Sequence, residues 1–187
     1  MGKLLLNVCC APCALPIIDH LIGTEQRPLD QFALYFYGPN ISPEAEYLKR
    51  LEEARRIAVQ YGVEFLEGGY DHNSWLAYLK ERLEASLESY GENSARCQLC
   101  FKFRLLNTAE YAAENNFQEF ATTLSVSRFK DVSAINAFGE ELAREYKLTY
   151  RTFPLDASQA HKKGLELSKK HGVYRQRYCG CEFSIRK

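Results

Sequence analysis

The 187-residue sequence has no uncharged apolar run approaching the ~18 residues that a membrane-spanning helix needs. It has no internal repeat and no low-complexity tract, which argues against a solenoid or a disordered linker. It also lacks an excess of one charge, since 24 Lys and Arg balance 24 Asp and Glu, and that excludes a chain coated uniformly in basic residues. Residues 1–8 hold one Lys and a short apolar run and pass directly into Cys9 and Cys10, a pattern that fits neither a secretory leader nor a membrane span. A cytoplasmic protein with no membrane partner is expected.

Hydrophobic residues make up 46% of the chain and aromatics 13%, enough for a substantial core. The length suits one α/β domain over residues 1–187, with residues 154–187 as a basic C-terminal segment. Seven cysteines stand out. In a reducing cytoplasm an odd number of thiols points to metal ligands or catalysts rather than to a disulfide framework.

Strand-type and helix-type segments alternate. Residues 3–8 read as a buried strand, followed by a tight cysteine loop and a helix over 14–22 that Gly23 ends. Residues 31–37 (QFALYFY) suit a strand covered on both faces. Ser42 then caps a long helix with Pro43 in its first turn, whose apolar face carries Tyr47, Leu48, Leu51, Ala54, Ile57, Ala58 and Tyr61 before Gly62 closes it. A short strand over 63–66, helices over 74–87 and 100–115, a strand over 119–124, a helix over 131–146 and a last strand over 148–153 follow. Such alternation implies a mainly parallel Rossmann-like sheet with helices on both faces, and a cysteine-bearing C-terminal extension beyond it.

Ligand sites in such sheets form beyond the carboxyl ends of the strands. Here the segment after the first strand has no glycine-rich loop for phosphate; Cys9, Cys10 and Cys13 occupy that position. Cys97 and Cys100 enter a helix with Cys-x-x-Cys spacing, which places both sulfurs on one side near a helix N-terminus that favours thiolates. Cys179-Gly180-Cys181 closes the set. No group is large enough to hold a cluster alone, whereas two together supply four thiolates for zinc or for a four-iron cluster. Structural zinc is the plainer alternative, but it would use four of the seven cysteines and leave three without a task.

The segment from 154 to 187 carries Lys162, Lys163, Lys169, Lys170, Arg175, Arg177, Arg186 and Lys187 against Asp156, Glu166 and Glu182. That local excess suits contact with phosphates, although from charge alone a solvated helix with charged faces is the plainer reading.

Several stretches together resemble the QueH family of epoxyqueuosine reductases. They are Cys9-Cys10-Ala11-Pro12-Cys13, the run Phe36 to Ile41, Tyr70-Asp71 ahead of Trp75, Arg96-Cys97-x-x-Cys100, Thr123 to Ser127 with Lys130, and Tyr174 to Cys181. The resemblance spans nearly the whole chain and implies a fold similar to the PP-loop ATPases. It implies two-electron reduction of the epoxide of epoxyqueuosine in tRNA to queuosine, with loss of water, by an iron-sulfur enzyme that needs no cobalamin but does need an electron donor. By motif, Cys9, Cys10, Cys97 and Cys100 would bind a [4Fe-4S] cluster, and Cys179 and Cys181 would form a second redox or metal element. The family is also associated with an additional mononuclear iron, for which Asp71 is the candidate oxygen ligand. Lys162, Lys163, Arg175 and Arg177 would hold tRNA phosphates, and an exposed Tyr174 would stack on an unpaired base. Asn7 departs from the histidine that many relatives carry before the first cysteine. The alternatives are a zinc-stabilised tRNA-binding protein and a PP-loop-like tRNA-modifying enzyme, the latter disfavoured by the missing glycine-rich loop.

Overall fold

The computed structural model describes residues 2–185. Five parallel strands, β1 (Leu4–Val8), β2 (Phe32–Phe36), β3 (Glu64–Glu67), β4 (Glu119–Thr122) and β5 (Thr149–Tyr150), form one sheet in the order β3-β2-β1-β4-β5. The order reverses at β1, which pairs with β2 on one side and β4 on the other. The doubly wound architecture expected from the sequence is therefore present.

Strand periodicity sorts the core. Leu4, Leu6, Val8, Phe32, Leu34 and Phe36 point into one buried cluster, while Leu5, Ala33, Tyr35 and Phe120 point into the other, as alternate residues of a sheet covered on both faces must. The first face is covered by α1 (Ala11–Gly23), α2 (Glu44–Tyr61) and α6 (Ala157–Lys170), the second by α4 (Ala95–Glu114) and α5 (Val132–Tyr146). A third cluster, Trp75, Leu79, Leu87, Cys100 and Cys181, joins α3 (His72–Lys80) to α4 and the C-terminal tail. Among the described residues no helix is long and apolar enough to cross a membrane.

Local expectations are corrected at several points. Helix α1 starts at Ala11, with Cys10 at its N-cap and Pro12 in its first turn, so Cys13 is helical rather than in a loop. Proline at that position lacks only an N–H that has no intrahelical partner anyway, and its fixed φ suits the first turn. Pro43, not Ser42, takes the N-cap of α2, and Leu48 turns outward, 53% exposed. Helix α3 stops at Lys80 because five of the six residues from 81 to 86 are exposed, leaving little apolar face to bury. The last two strands are shorter than expected, β4 giving way to a tight 3₁₀ turn at Thr123–Val126.

Gly164 sets the closest approach of α6 to α1: a Cβ there would lie 2.7 Å from the Pro12 backbone carbonyl oxygen. A backbone atom cannot swing aside as a side chain can. Gly164→Ala is expected to cost about 1–3 kcal/mol of stability, read as a lower urea midpoint at unchanged slope; an unchanged midpoint would show that the two helices are not in this contact.

Candidate redox and metal site

Each cysteine group is delivered to the carboxyl end of the sheet by a different element. Cys9 and Cys10 follow β1 directly, and the Tyr37 N–H donates to the Val8 carbonyl at 3.1 Å, continuing the β1–β2 pairing to the edge of the site. Cys97 and Cys100 lie in the first two turns of α4. The tail is held by its backbone. Arg50 Nη1 and Nη2 donate to the carbonyls of Cys179 and Tyr178 at 3.0 and 3.2 Å, and the Ser42 N–H donates to the Gly180 carbonyl at 2.9 Å. Gly180 has φ of +133°, and a Cβ there would meet Ile41, Arg50 and Asn40 at 3.1–3.2 Å, so both conformation and space call for glycine between the two cysteines.

Buried cations lie between the three groups. Arg104, one turn beyond Cys100 on the same face of α4, is 2% exposed and bears on Cys9, Cys100 and Cys179. Its Nη2 donates to Asn7 Oδ1 at 3.3 Å, and its Nε has no partner. Asn7 is itself fixed by Thr122 Oγ1 at 3.1 Å and by its own bond to the Tyr37 carbonyl at 3.3 Å. Burial opposes the charge on Arg104, but the neighbouring thiols outweigh it and raise its pKa. Lys130 Nζ donates to Cys179 Sγ at 3.0 Å, and its pKa is likewise raised by Cys179 against the opposing effect of burial. Arg50 bears on Cys9 and Cys10, and Arg96, with an unpartnered Nη2, bears on Cys181.

All seven thiols are free. The Cys9 pKa is raised by a hydrogen bond with Cys10 and by burial; Cys10 is pushed up to about 12, first by its hydrogen bond with Cys13. Burial takes Cys100 to about 12 and also raises Cys181. Among the described residues no three His, Cys, Asp or Glu side chains form a ready-made metal site.

Against known sequences, the family model described as "Epoxyqueuosine reductase QueH" matches residues 4–187. The chain belongs to the QueH family. It is 37% identical to the epoxyqueuosine reductase QueH of Histophilus somni, covering 99% of this chain and 73% of the relative. The QueH of Haemophilus influenzae is 36% identical (99% and 72%), and that of Thermotoga maritima 34% identical (99% and 91%). Among solved structures, the U34-tRNA thiolase NcsA from Methanococcus maripaludis with its [4Fe-4S] cluster superimposes with a TM-score of 0.60 at 12% identity, over 99% of this chain. This chain spans 62% of that one, and the likeness is one of fold.

The QueH site fits an anionic thiolate-bound group. Among the described residues Arg104 is a buried guanidinium with an orphaned Nε and no carboxylate beside it, an arrangement costing several kcal/mol unless an anion faces it. Cys9, Cys100 and Cys179 are the groups placed to become that anion, and cysteine thiolates are the ligands that iron-sulfur clusters take.

Cys97, Cys100, Cys179 and Cys181 act on one another and Cys9 and Cys10 on each other, with Arg104 between the two sets, whereas other expected residues lie apart. Asp71 stands at the N-cap position of α3, exposed and with no capping bond; its charge faces the phenols of Tyr35, Tyr37 and Tyr47 rather than a thiol. Tyr174 is not an exposed aromatic: its hydroxyl donates to Glu46 at 2.9 Å and Lys49 Nζ covers its ring at 3.6 Å. Lys162, Lys163 and Arg177 are exposed, Lys163 pairing with Asp19 at 3.4 Å. Arg175 lines a recess with Cys13, His161 and Gln176. Arg186 and Lys187 lie outside the described residues. Arg50 and Arg104 were not singled out from the sequence. Arg104 carries a signal, its spacing of four from Cys100 and seven from Cys97; Arg50 acts over 129 residues and carries none.

In reduced protein stripped of metal, Cys179, the exposed thiol, is expected to alkylate with iodoacetamide first. Cys10 and Cys100, with pKa values of about 12, should lag and gain roughly tenfold in rate per pH unit between pH 7 and 9, because only the thiolate reacts. Peptide mass mapping checks the order; equal labelling of all seven would refute the burial assigned here.

Proposed function

We propose that this chain reduces the epoxide of epoxyqueuosine in tRNA to the alkene of queuosine, releasing the oxygen as water. The observation that supports this most directly is the gathering of three sequence-distant thiol groups around buried Arg104 at the carboxyl end of the sheet. We assign Cys9, Cys10, Cys97 and Cys100 to a [4Fe-4S] cluster, which when bound supplies single electrons at low potential. Ligation of a second, mononuclear iron is the alternative use of Cys179 and Cys181, which lie beside Cys97 and Cys100; it would exclude their use as a redox dithiol, add a fifth iron, and require Asp71 to leave the tyrosines it faces.

The reaction needs two electrons and two protons, and Cys179 with Cys181 can carry both. Oxidation of this dithiol to a disulfide releases the pair; both carbon–oxygen bonds of the epoxide break, a carbon–carbon double bond forms, and the oxygen takes the two protons as water. A cellular low-potential electron donor then returns the disulfide to the dithiol without cobalamin. Lys130, protonated and hydrogen-bonded to Cys179 Sγ, orients that sulfur, stabilises its thiolate and holds a proton near the departing oxygen. Arg50 keeps the tail backbone in place while its sulfurs change partners. Lys162, Lys163, Arg175 and Arg177 supply positive charge for the tRNA, and a tRNA substrate is in keeping with a cytoplasmic enzyme.

Protein purified without oxygen is expected to be coloured and to contain about four irons per chain. Cys97→Ala should lose the visible absorption. Cys179→Ser and Cys181→Ser should keep iron and fail to convert epoxyqueuosine in tRNA, followed as loss of one oxygen by nucleoside mass spectrometry. A colourless zinc protein with full activity would overturn the cofactor assignment, and a loaded wild type that leaves the epoxide intact would overturn the reaction.

A further inference from the structure

The loop from β4 to α5 carries two side chains that neither the fold nor the thiol chemistry uses. Residues 127–130 form a turn closed by the Lys130 N–H on the Ser127 carbonyl at 3.2 Å, and Asn93 Nδ2 braces it by donating to the Phe129 carbonyl at 2.9 Å. Arg128 and Phe129 occupy its two central positions and both are exposed, Phe129 by 60%.

Phe129 stands between two recesses. On one side it lines the thiol cleft with Cys97, Lys130, Cys179 and Cys181. On the other its ring meets His161 edge-to-face at 6.1 Å, and His161 lines the recess that holds Ser127, Arg175 and Gln176. The Arg128 guanidinium lies 4.6 Å from the Phe129 ring centroid. Burial, then Arg128, then Arg175 lower the His161 pKa, so both arginines bear on the same imidazole. Among the described residues neither arginine pairs with a carboxylate.

An exposed aromatic ring with the Arg128 guanidinium over one face, and a second guanidinium, Arg175, beside its His161 neighbour, matches one kind of ligand, which would take the opposite face. The face accepts a base by stacking, which is sequence-tolerant, and the cations accept the phosphodiesters on either side. A base inside a duplex has no free face to offer, so the matching chemistry is that of an unpaired nucleotide in a loop.

We propose that Phe129 is the stacking platform for an unpaired tRNA base adjacent to the nucleotide that enters the thiol cleft, with Arg128, His161 and Arg175 binding the flanking phosphodiester. This rests on the reading of tRNA as substrate and gives Phe129 the role expected of Tyr174. It also sets a direction: the strand passes over Phe129, its phosphate in the Arg175 recess and the reacting nucleotide toward Cys179.

The test uses anaerobically reconstituted holoenzyme and tRNA carrying epoxyqueuosine, with filter binding across a salt series and single-turnover reduction. Phe129→Ala should weaken binding roughly tenfold, within the ~1–3 kcal/mol of one base stack, at unchanged salt slope; Phe129→Trp should bind within about twofold of wild type. Arg128→Ala and Arg175→Ala should each flatten the slope of log K against log salt by about 0.7. If Phe129→Ala shifts the unfolding midpoint, Phe129→Leu, which keeps apolar bulk without a ring, should show the same tenfold loss. Wild-type reduction with wild-type binding in all these variants overturns the platform and leaves the reaction standing. Wild type that binds tRNA with these dependences yet leaves the epoxide intact supports the platform and overturns the reaction. Wild type that binds no tRNA overturns both.

Discussion

Arg104 is the group on which the rest of the site depends. A guanidinium buried without a carboxylate is costly, and the cost falls only if anions are brought to it. Three parts of the chain bring it thiols that become anions once ligated, from three directions: Cys9 from the end of β1, Cys100 from the preceding turn of α4, and Cys179 from the tail. Asn7 and Thr122 fix one edge of the guanidinium from neighbouring strands, so its position is referred to the sheet rather than to a loop. Asn7 thus contributes by holding Arg104, through a neutral amide whose oxygen accepts from both Arg104 and Thr122.

The same constraint explains why the tail is anchored by its backbone. If the sulfurs of Cys179 and Cys181 are to change redox state or partner, contacts made through them cannot also hold the chain. Arg50 instead grips carbonyl oxygens, the Ser42 N–H takes the Gly180 carbonyl, and the hydroxyl of Tyr178 donates to the Ser42 carbonyl. Gly180 makes this close approach possible because any side chain would press on Ile41, Arg50 and Asn40. One sulfur then faces Lys130 while the other packs in the cluster with Trp75 and Cys100.

Much of the fold was legible because burial acts locally on strands and helices. Residues 32–37 are all apolar or aromatic and lie buried between two helical layers, and the stop at Gly62 is a left-handed cap that glycine suits. The expectations that failed did so either on a local signal that the cysteine spacing hid or on contacts outside the segment. Pro12 drew Cys13 into α1, and the Ser42 backbone was recruited by the tail more than a hundred residues away. At the site, the cysteine groups were legible from spacing, but not that all three share Arg104, nor that Tyr174 would be taken up by Glu46 and Lys49. Asp71 illustrates the limit of a motif: its neighbours in sequence suggest a ligand, while its neighbours in space are phenols.

In a doubly wound sheet, the junction of the first strand with the first helix is where a phosphate ordinarily binds, because free N–H groups and the helix dipole favour an anion there. Cys10 occupies the N-cap of α1 at that junction, and Gln176 Nε2 donates to its sulfur at 3.0 Å. The electrostatic feature that would hold a phosphate is therefore directed at a thiol. Without metal, burial and neighbouring thiols hold Cys9 and Cys10 protonated, so the helix end alone does not ionise them. Ionisation requires a cation that sulfur can ligate, with Arg104, Arg50 and Lys130 offsetting the charge of the thiolates that result. Cysteines in place of a glycine-rich loop would thus turn an anion-binding junction into one suited to a metal, on a sheet whose switch point is the ordinary one.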